Sequence, residues 1–269
     1  MTTETQQEQT VEISYDIVQS FLRGTHDPNK ELHKDWALGF QLELLLKAEA
    51  DKVVHGENEK LSCTRMQSVF HQPVPVNSKI VIMPARRIRT HTHDTPERKY
   101  DAGVSIDMFV LVPAGEGKVE KERALRATFL YQENYKFTEH PYKGHDFVLN
   151  KWSAKRTAFG LKKEGCDYAS LALGLVSNAM FQDSRDRKEK GQRIYAVHSL
   201  DVTRELDTLQ NGETIRVLTG ARMPEEIIDE KTKKITGYKV PVVATKKGGL
   251  LLYEGRLSVK FYDHATKTQ

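Results

Sequence analysis

The sequence has few cysteines and no long apolar run. Only Cys63 and Cys166 occur among its 269 residues, and neither belongs to a Cys-x-x-Cys or Cys/His pattern. A disulfide framework and a structural zinc site of the usual kind are therefore excluded. The chain lacks the roughly eighteen consecutive apolar residues that a membrane span needs, and it does not open with a charged-then-apolar leader. We therefore expect a cytoplasmic protein with two reduced thiols.

The sequence also has no large excess of positive or of negative charge. The chain has 41 Lys and Arg residues against 37 Asp and Glu residues, so its net charge is only +4 and the two signs are well mixed. A dedicated nucleic-acid binder would show a one-signed face, so we do not expect a nucleic-acid partner. The basic stretches "RRIR" and "DRKEKGQR" favour a solvated surface over contact with a phosphate or an acidic carrier protein.

Motifs that hold cofactors or metals are absent as well. The sequence contains no glycine-rich phosphate loop, no HExxH or GxSxG motif and no dinucleotide fingerprint, so we predict no cofactor. The stretch "THTHD" puts His91 and His93 on one face of a strand, which metals sometimes use. Because no third ligand is evident, the pattern favours a solvated edge strand, and we predict no metal site.

The pattern from residue 11 onward predicts a strand, a long helix and a run of antiparallel strands. After a polar tail over residues 1–10, "VEISYDIVQSF" has the β-branched and aromatic content of a strand. From Lys34 to about Val54 the apolar spacing is helical, which predicts a core helix. The strand-like segments that follow are "TRMQSVFHQPV", "SKIVIMPARRIRTHTH", "KYDAGVSIDMFVLV" and "ERALRATFLYQ".

The second half repeats this order. "HDFVLNKWSAKRT" predicts a strand, "CDYASLALGLVSNAMF" predicts an apolar helix, and four further strand-like segments follow. A nearly constant offset relates landmarks in the two halves, for example Ser68 with Ser199 and Arg126 with Arg256, which indicates duplication of one unit. Chance similarity between two α+β halves is the alternative. We place the units at residues 11–137 and 138–269.

Titratable residues gather immediately before the first predicted helix. The stretch "THDPNKELHKDWALGF" contains Asp27, Asn29, His33 and Asp35. Such residues favour a catalytic cluster, but Asp, Asn and His are also common in helix caps and turns, where they satisfy free backbone donors. Asp167 and Ser170 occupy the comparable position of the second half, and capping is again the alternative.

The chain resembles double hotdog proteins, in which two hotdog units are fused, as in acyl-thioester enzymes. The resemblance covers nearly the whole chain after residue 10 and is carried by "SVFHQPVPVNSKIVI", "AVHSLDVTRELDTLQNGETIRV", "ALRATFLYQ" and "GRLSVKFYD". It implies an α+β fold in which a curved antiparallel sheet wraps each long helix. It also implies thioesters of coenzyme A or acyl carrier protein as ligands, bound between the units. Assembly into a homo-oligomer stays open.

The resemblance further implies roles for particular residues. In hotdog thioesterases a carboxylate near the helix activates water or attacks the thioester carbonyl, and Asp27 is the best match, with His33 beside it. The helix N-terminus would stabilise the negative charge that develops on the carbonyl oxygen. The residues expected to line the ligand sites are Trp36, Phe40, His71, Asp167, Ser170 and His198.

The same cluster also looks like the hydratase motif of MaoC-type hotdog enzymes. The pattern Asp27-x-Asn29, Leu32-His33-x-Asp35 carries this likeness, with Phe21 six residues ahead of the aspartate. Those enzymes insert an overhang before the central helix, whereas the sequence predicts that the helix begins almost at once. We therefore expect a thioesterase. The alternatives are a hydratase-dehydratase for 3-hydroxyacyl and enoyl thioesters, and a non-catalytic acyl-ligand-binding or assembly protein.

Overall fold

The computed structural model describes residues 7–27, 32–56, 58, 60–88, 100–115, 118–132, 144–184, 192–220, 225–247 and 249–262. The first half contains β1 (Gln9–Ile13), α1 (Tyr15–Gly24), α2 (Gly39–His55), β2 (Ser62–Phe70), β3 (Ser78–Ile82), β4 (Arg86–Arg87), β5 (Ala102–Pro113) and β6 (Val119–Gln132). The second half contains β7 (His145–Val148), α3 (Lys151–Gly160), α4 (Tyr168–Ser184), β8 (Gln192–Val202), β9 (Thr214–Thr219), β10 (Glu225–Ile228), β11 (Ile235–Lys246) and β12 (Leu251–Tyr262).

One antiparallel sheet contains all these strands, and its order is the same in both halves. The strands lie in the order β1-β3-β5-β6-β2-β8-β12-β11-β9-β7, while β4 pairs with β5 and β10 pairs with β11. The first six strands therefore mirror the last six about the β2–β8 junction, where Ser68 lies opposite His198. This mirrored order is what two fused copies of one unit produce. The predicted boundary between residues 137 and 138 lies outside the described residues, and β1 begins inside the range expected to be a tail.

The two central helices are covered on nearly every side. In α2, residues 40–46 are all buried, and in α4 residues 170–180 are all buried. Such a surface requires protein on all faces, and the sheet supplies much of it: α2 packs on β2, β5 and β6, and α4 packs on β9. The predicted α+β double hotdog architecture is confirmed, with a long helix in each half. The helix expected from Lys34 begins instead at Gly39.

The start of α2 is displaced because the residues before it are held in extended backbone. Trp36 forms an isolated antiparallel bridge with Pro75, and the amide of Ala37 donates to the carbonyl of Val74 at 2.9 Å. The amide of Val76 donates to the carbonyl of Asp35 at 2.8 Å. These bonds to the segment before β3 replace the intrahelical bonds that the apolar spacing predicts.

Two predicted strands are largely helices. In "VEISYDIVQSF" only the part up to Ile13 is a strand, and in the second half β7 ends at Val148. Ser14 and Asn150 cap the helices that follow, since their side chains accept from the amides of Ile17 and Ser153. The apolar positions of α1 that are buried have helical spacing. The β-branched and aromatic content of both segments thus misled the sequence analysis in the same way twice.

Helices α1 and α3 pack against each other at two glycines, one on each helix. A Cβ at Gly24 would lie 2.7 Å from the amide nitrogen of Thr157, and a Cβ at Gly160 would lie 2.9 Å from the amide nitrogen of Phe21. Each glycine thus meets the residue three positions before the other glycine. This local twofold relation is a second sign of duplication, and it lets the two backbones approach closely.

Replacing either glycine should separate the two helices. Because the added methyl group would meet backbone atoms that cannot rotate away, we expect Gly24→Ala and Gly160→Ala each to lower the free energy of unfolding by about 1–3 kcal/mol. Urea unfolding measures the change, and Lys151→Ala, at an exposed position of α3, is the control. Unchanged stability in both glycine variants would contradict the close crossing.

Candidate active site

The connection between α1 and α2 buries an aspartate directly after a strained turn. The backbone turns at residues 25–27, where the amide of Asp27 donates to the carbonyl of Leu22 at 2.9 Å. His26 has a φ of 53°, a left-handed conformation that is uncommon outside glycine. The turn places Asp27 inside the protein, with only 5% of its surface exposed.

A buried histidine follows on the same connection. His33 lies in a single 3-10 turn, Leu32–Lys34, and is also 5% exposed. Its Nδ1 lies 3.0 Å from the carbonyl oxygen of Trp36. Since a carbonyl can only accept, Nδ1 carries the proton, and in the neutral ring Nε2 keeps its lone pair. The orientation of the imidazole is thereby fixed for proton transfer at Nε2.

Burial and the charge of Asp27 act on His33 in opposite directions. Burial lowers the pKa of His33 below its ordinary value, while the negative charge of Asp27 and the bond to Trp36 raise it in part. The net effect is a lowered pKa, so the imidazole is neutral at neutral pH. Asp27 and His33 are therefore close enough to interact electrostatically, and their role as acid and base groups stays a prediction.

The second half of the chain holds the turn that carries Asp27. The Nδ2 atom of Asn178, on α4, donates to the carbonyl of His26 at 2.6 Å and to that of Thr25 at 3.4 Å. Gln182 donates to Oδ1 of Asn178 at 2.7 Å, which orients the amide. On α3, Ser153 Oγ lies 2.9 Å from Nε2 of His26. Residues of both units therefore contribute to the candidate site.

These partners were missed by the sequence analysis. They lie more than 120 residues away from the turn along the chain, so no local spacing relates them to it. The one available signal was Asn178 itself, a polar residue inside the apolar run "LALGLVSNAMF". A buried amide must find hydrogen-bond partners, and here it finds backbone carbonyls of the other unit.

The other predicted site residues of the first half lie in varied surroundings. Asp35 and His71 are exposed, Trp36 is half-buried, and Phe40 is fully buried in the core. Asn29, like His91 and His93, lies outside the described residues, and so does the side chain of His198. Of the predicted cluster, the structure therefore brings Asp27 and His33 together, and the roles of all the predicted site residues stay predictions.

Asp167 and Ser170 form a helix cap in the second half. Asp167 Oδ1 accepts from the amide of Ser170 at 2.8 Å, while Oδ2 accepts from Ser170 Oγ at 2.8 Å and from Lys163 Nζ at 2.6 Å. Burial alone would raise the pKa of Asp167, but the charge of Lys163 and these bonds hold it below its usual value. The contacts match the capping alternative raised for these two residues.

Helix α2 begins without a side-chain cap. Its N-cap residue, Leu38, offers no polar group, and no acidic residue stands in its first turn. The other three helices are capped by Ser14, Asn150 and Asp167. The positive end of α2 therefore comes shortly after the buried Asp27 and His33 in the chain, and its N-cap residue supplies no side-chain acceptor.

The described residues contain no group of three or more His, Cys, Asp or Glu side chains suited to a metal ion. Within the same residues, no helix is both long and apolar enough to cross a membrane. Cys63 and Cys166 are free thiols.

Removing the Asn178 amide should loosen the turn at Asp27. Asn178→Leu keeps the approximate volume but leaves the carbonyls of Thr25 and His26 without this donor, so we expect a loss of about 1–3 kcal/mol in the free energy of unfolding. If Asp27 moves away from His33, its negative charge no longer raises the pKa of His33, so this pKa should fall further. NMR titration measures the change. Glu120→Gln, an exposed carboxylate on β6, is the control. An unmoved His33 pKa would contradict the positioning role.

The lowered pKa of His33 should make stability depend on pH. The unfolded chain binds a proton at this residue near its ordinary pKa of 6.5, whereas the folded protein binds it only at lower pH. Between these values the unfolded state holds more protons, so the free energy of unfolding falls as the pH is lowered. In urea unfolding from about pH 8 to about pH 5, His33→Gln should show a weaker dependence than the natural chain. Identical pH profiles would contradict this account.

Comparisons with known proteins identify the fold. No protein-family profile and no curated protein matches the chain. Among solved structures, a hotdog-fold protein of unknown function from Alicyclobacillus acidocaldarius covers 97% of this chain and 95% of its own, with a TM-score of 0.54 and 11% identity. A MaoC-like dehydratase from Phytophthora capsici covers 96% of both chains, with a TM-score of 0.52 and 9% identity.

A third structure has a different name. A protein with the provisional name thioesterase, from Novosphingobium aromaticivorans, covers 97% of this chain and 98% of its own, with a TM-score of 0.50 and 9% identity. At such low sequence identity, these structures show the fold of this chain and do not show its function. The chain has the fold of hotdog proteins named for dehydratase and thioesterase activity, over nearly its full length and theirs.

Proposed function

We propose that the protein is a hydratase-dehydratase for acyl thioesters, with Asp27 and His33 as its catalytic pair. The reaction adds water across the C2–C3 double bond of an enoyl thioester, or removes it from a 3-hydroxyacyl thioester. The observation that carries the proposal is a buried, interacting aspartate and histidine on the connection before the central helix. No cofactor is needed, because water is the only second reactant.

The chemistry follows from the state of the two side chains. A water held between them bonds through its oxygen to C3 and gives a proton to the neutral Nε2 of His33, while the Asp27 carboxylate orients the water and stabilises the imidazolium that forms. A proton returns from the pair to C2, so that one water is consumed and the catalytic groups are restored. Elimination runs through the same steps in reverse.

The N-terminus of α2 supports the same reaction. As water adds to C3, negative charge moves onto the thioester carbonyl oxygen. Backbone N–H groups in the first turn of a helix, together with its dipole, stabilise such a charge. Because Leu38 provides no side-chain acceptor at this end, the first turn of α2 suits that oxygen better than the capped ends of α1, α3 and α4.

The length of the connection favours hydration over hydrolysis. The sequence favours a thioesterase only if the central helix begins at Lys34, without the overhang of MaoC-type enzymes. Helix α2 begins instead at Gly39, and residues 25–38 separate it from α1. The connection therefore has room for an overhang that carries both Asp27 and His33, as in the hydratase resemblance. The name of the Phytophthora capsici protein agrees with this choice.

Thioester hydrolysis is the second candidate. It needs one carboxylate to activate water or to attack the carbonyl, and the buried Asp27 meets that need alone. The fold is also that of the Novosphingobium aromaticivorans protein named as a provisional thioesterase. Hydrolysis does not explain why the orientation of His33 is fixed by the Trp36 carbonyl, and it ranks second for that reason.

A panel of acyl-CoA and enoyl-CoA thioesters separates the candidates. We expect loss of enoyl absorbance without release of free thiol. Asp27→Asn and His33→Gln should each lower kcat by about 10²–10⁴-fold, because each removes one partner of the proton transfer. Melting temperatures of the variants show whether they are folded, and Glu120→Gln, an exposed carboxylate on β6, is the control.

Each other outcome of this experiment has a definite meaning. Release of free thiol that depends on Asp27 would establish hydrolysis in place of hydration. Full turnover by folded Asp27→Asn and His33→Gln would remove the pair from catalysis. Thermal stabilisation by acyl-CoA without any turnover would favour the non-catalytic binder.

A further inference from the structure

A surface groove between α1 and α3 combines aromatic and cationic side chains. The groove has a volume of about 540 Å³, and all its lining residues belong to these two helices. Tyr15, Trp152 and Phe159 line it and are 45%, 51% and 57% exposed. Three large aromatic side chains around one concave surface are unusual unless something packs on them.

The cations of the α1–α3 groove are not neutralised by neighbouring carboxylates. Arg23, Lys155 and Arg156 line it, and among the described residues none of them forms an ion pair. The guanidinium of Arg156 lies over the Trp152 ring at 4.9 Å. Asp16 is the one acidic residue of the lining, so positive charge is in excess.

The groove adjoins the candidate active site through two contacts. Gln19 lines the groove, and its Nε2 donates to the carbonyl of His33 at 3.4 Å. The ring of Trp152 lies 6.4 Å from that of His26, the residue before Asp27. A ligand in the groove would therefore lie beside the connection that carries the catalytic pair.

We propose that the α1–α3 groove binds the phosphorylated adenosine end of coenzyme A, and hence that the thioester substrate is carried on coenzyme A. This inference rests on the proposed function for its link to turnover. Aromatic rings stack on a purine, and Arg and Lys side chains bind phosphate oxygens by charge-assisted hydrogen bonds. A purely apolar ligand would not use the cations, and a simple anion would not use the rings.

An acidic helix of a carrier protein is another ligand that the positive charge of the groove could attract, but it fits the groove less well. A stable protein interface buries about 800 Å² on each partner, with a fully desolvated apolar centre. The groove lies between two helices that span only Tyr15–Gly24 and Lys151–Gly160, and its cations share the concave surface with the rings. That combination suits a compact ligand with one flat ring system and clustered phosphates.

Binding of the nucleotide can be measured without any turnover. The probe is 3′-phosphoadenosine 5′-phosphate, the nucleotide end of coenzyme A. The chain has only two tryptophans, Trp36 and Trp152, so stacking in the groove should quench a large share of the fluorescence. We expect saturable quenching that weakens as salt is raised. The double variant Lys155→Glu/Arg156→Glu should raise the dissociation constant at least about tenfold, whereas Lys79→Glu, an exposed lysine on β3, should not.

Kinetics give a separate test of the same groove. The double variant should raise KM for the coenzyme A thioester at least about tenfold and leave kcat unchanged, since the nucleotide is bound equally in the ground state and the transition state. The matching pantetheine thioester, which lacks the nucleotide, should show no change in KM. Equal losses with both substrates would overturn the proposal.

Three further results would also overturn it. These are no nucleotide binding at millimolar concentration, tighter binding of an acidic apo carrier protein than of the nucleotide, and a dimer that dissociates when Trp152 is changed to Glu. If no thioester is turned over, the proposed function fails, but the nucleotide titration still decides whether the groove binds coenzyme A.

Discussion

The backbone hydrogen bonds between β2 and β8 are the interaction on which the rest of the structure depends. They join two six-stranded halves into one sheet and fix the register, with Arg65 opposite Asp201. A shift by one residue would turn every side chain of the joined strands to the other face. Because α2 and α4 each pack on strands of their own half, this register also sets where the two central helices lie relative to each other. The distance from Asn178 to the Asp27 turn depends on this junction together with the packing of α1 on α3.

The two halves are similar scaffolds with different connections. Residues 25–38 join α1 to α2, whereas only residues 161–167 join α3 to α4. The long connection contains the buried Asp27 and His33, and the helix after it has no side-chain cap. In the short connection Asp167 accepts from Ser170 and Lys163, which leaves it with a structural role. The acidic residue before each central helix therefore lies in different surroundings in the two halves: Asp27 is buried beside His33, whereas Asp167 caps α4.

The sequence could predict the features that depend on regular spacing. Apolar periodicity predicted both central helices and most strands, and the offset between halves predicted the duplication. Helices α1 and α3 were missed because their aromatic and β-branched residues resemble strand composition, although Ser14 and Asn150 offered capping signals. The late start of α2 was missed because it depends on hydrogen bonds to residues 74–76, which are distant in sequence. Asp27 and His33 were predicted because they share one short motif, whereas Asn178 belongs to the other half.

The strained turn at His26 explains why this asparagine lies in an otherwise apolar helix. A left-handed residue other than glycine costs about 1–3 kcal/mol, and buried carbonyls without donors would add to that cost. One amide group has two N–H donors, so Asn178 bonds the adjacent carbonyls of Thr25 and His26 together, while Gln182 fixes its orientation. An apolar residue at this position would leave the turn free to relax, and Asp27 would move away from His33. The second unit thus contributes hydrogen bonds to the turn that carries Asp27.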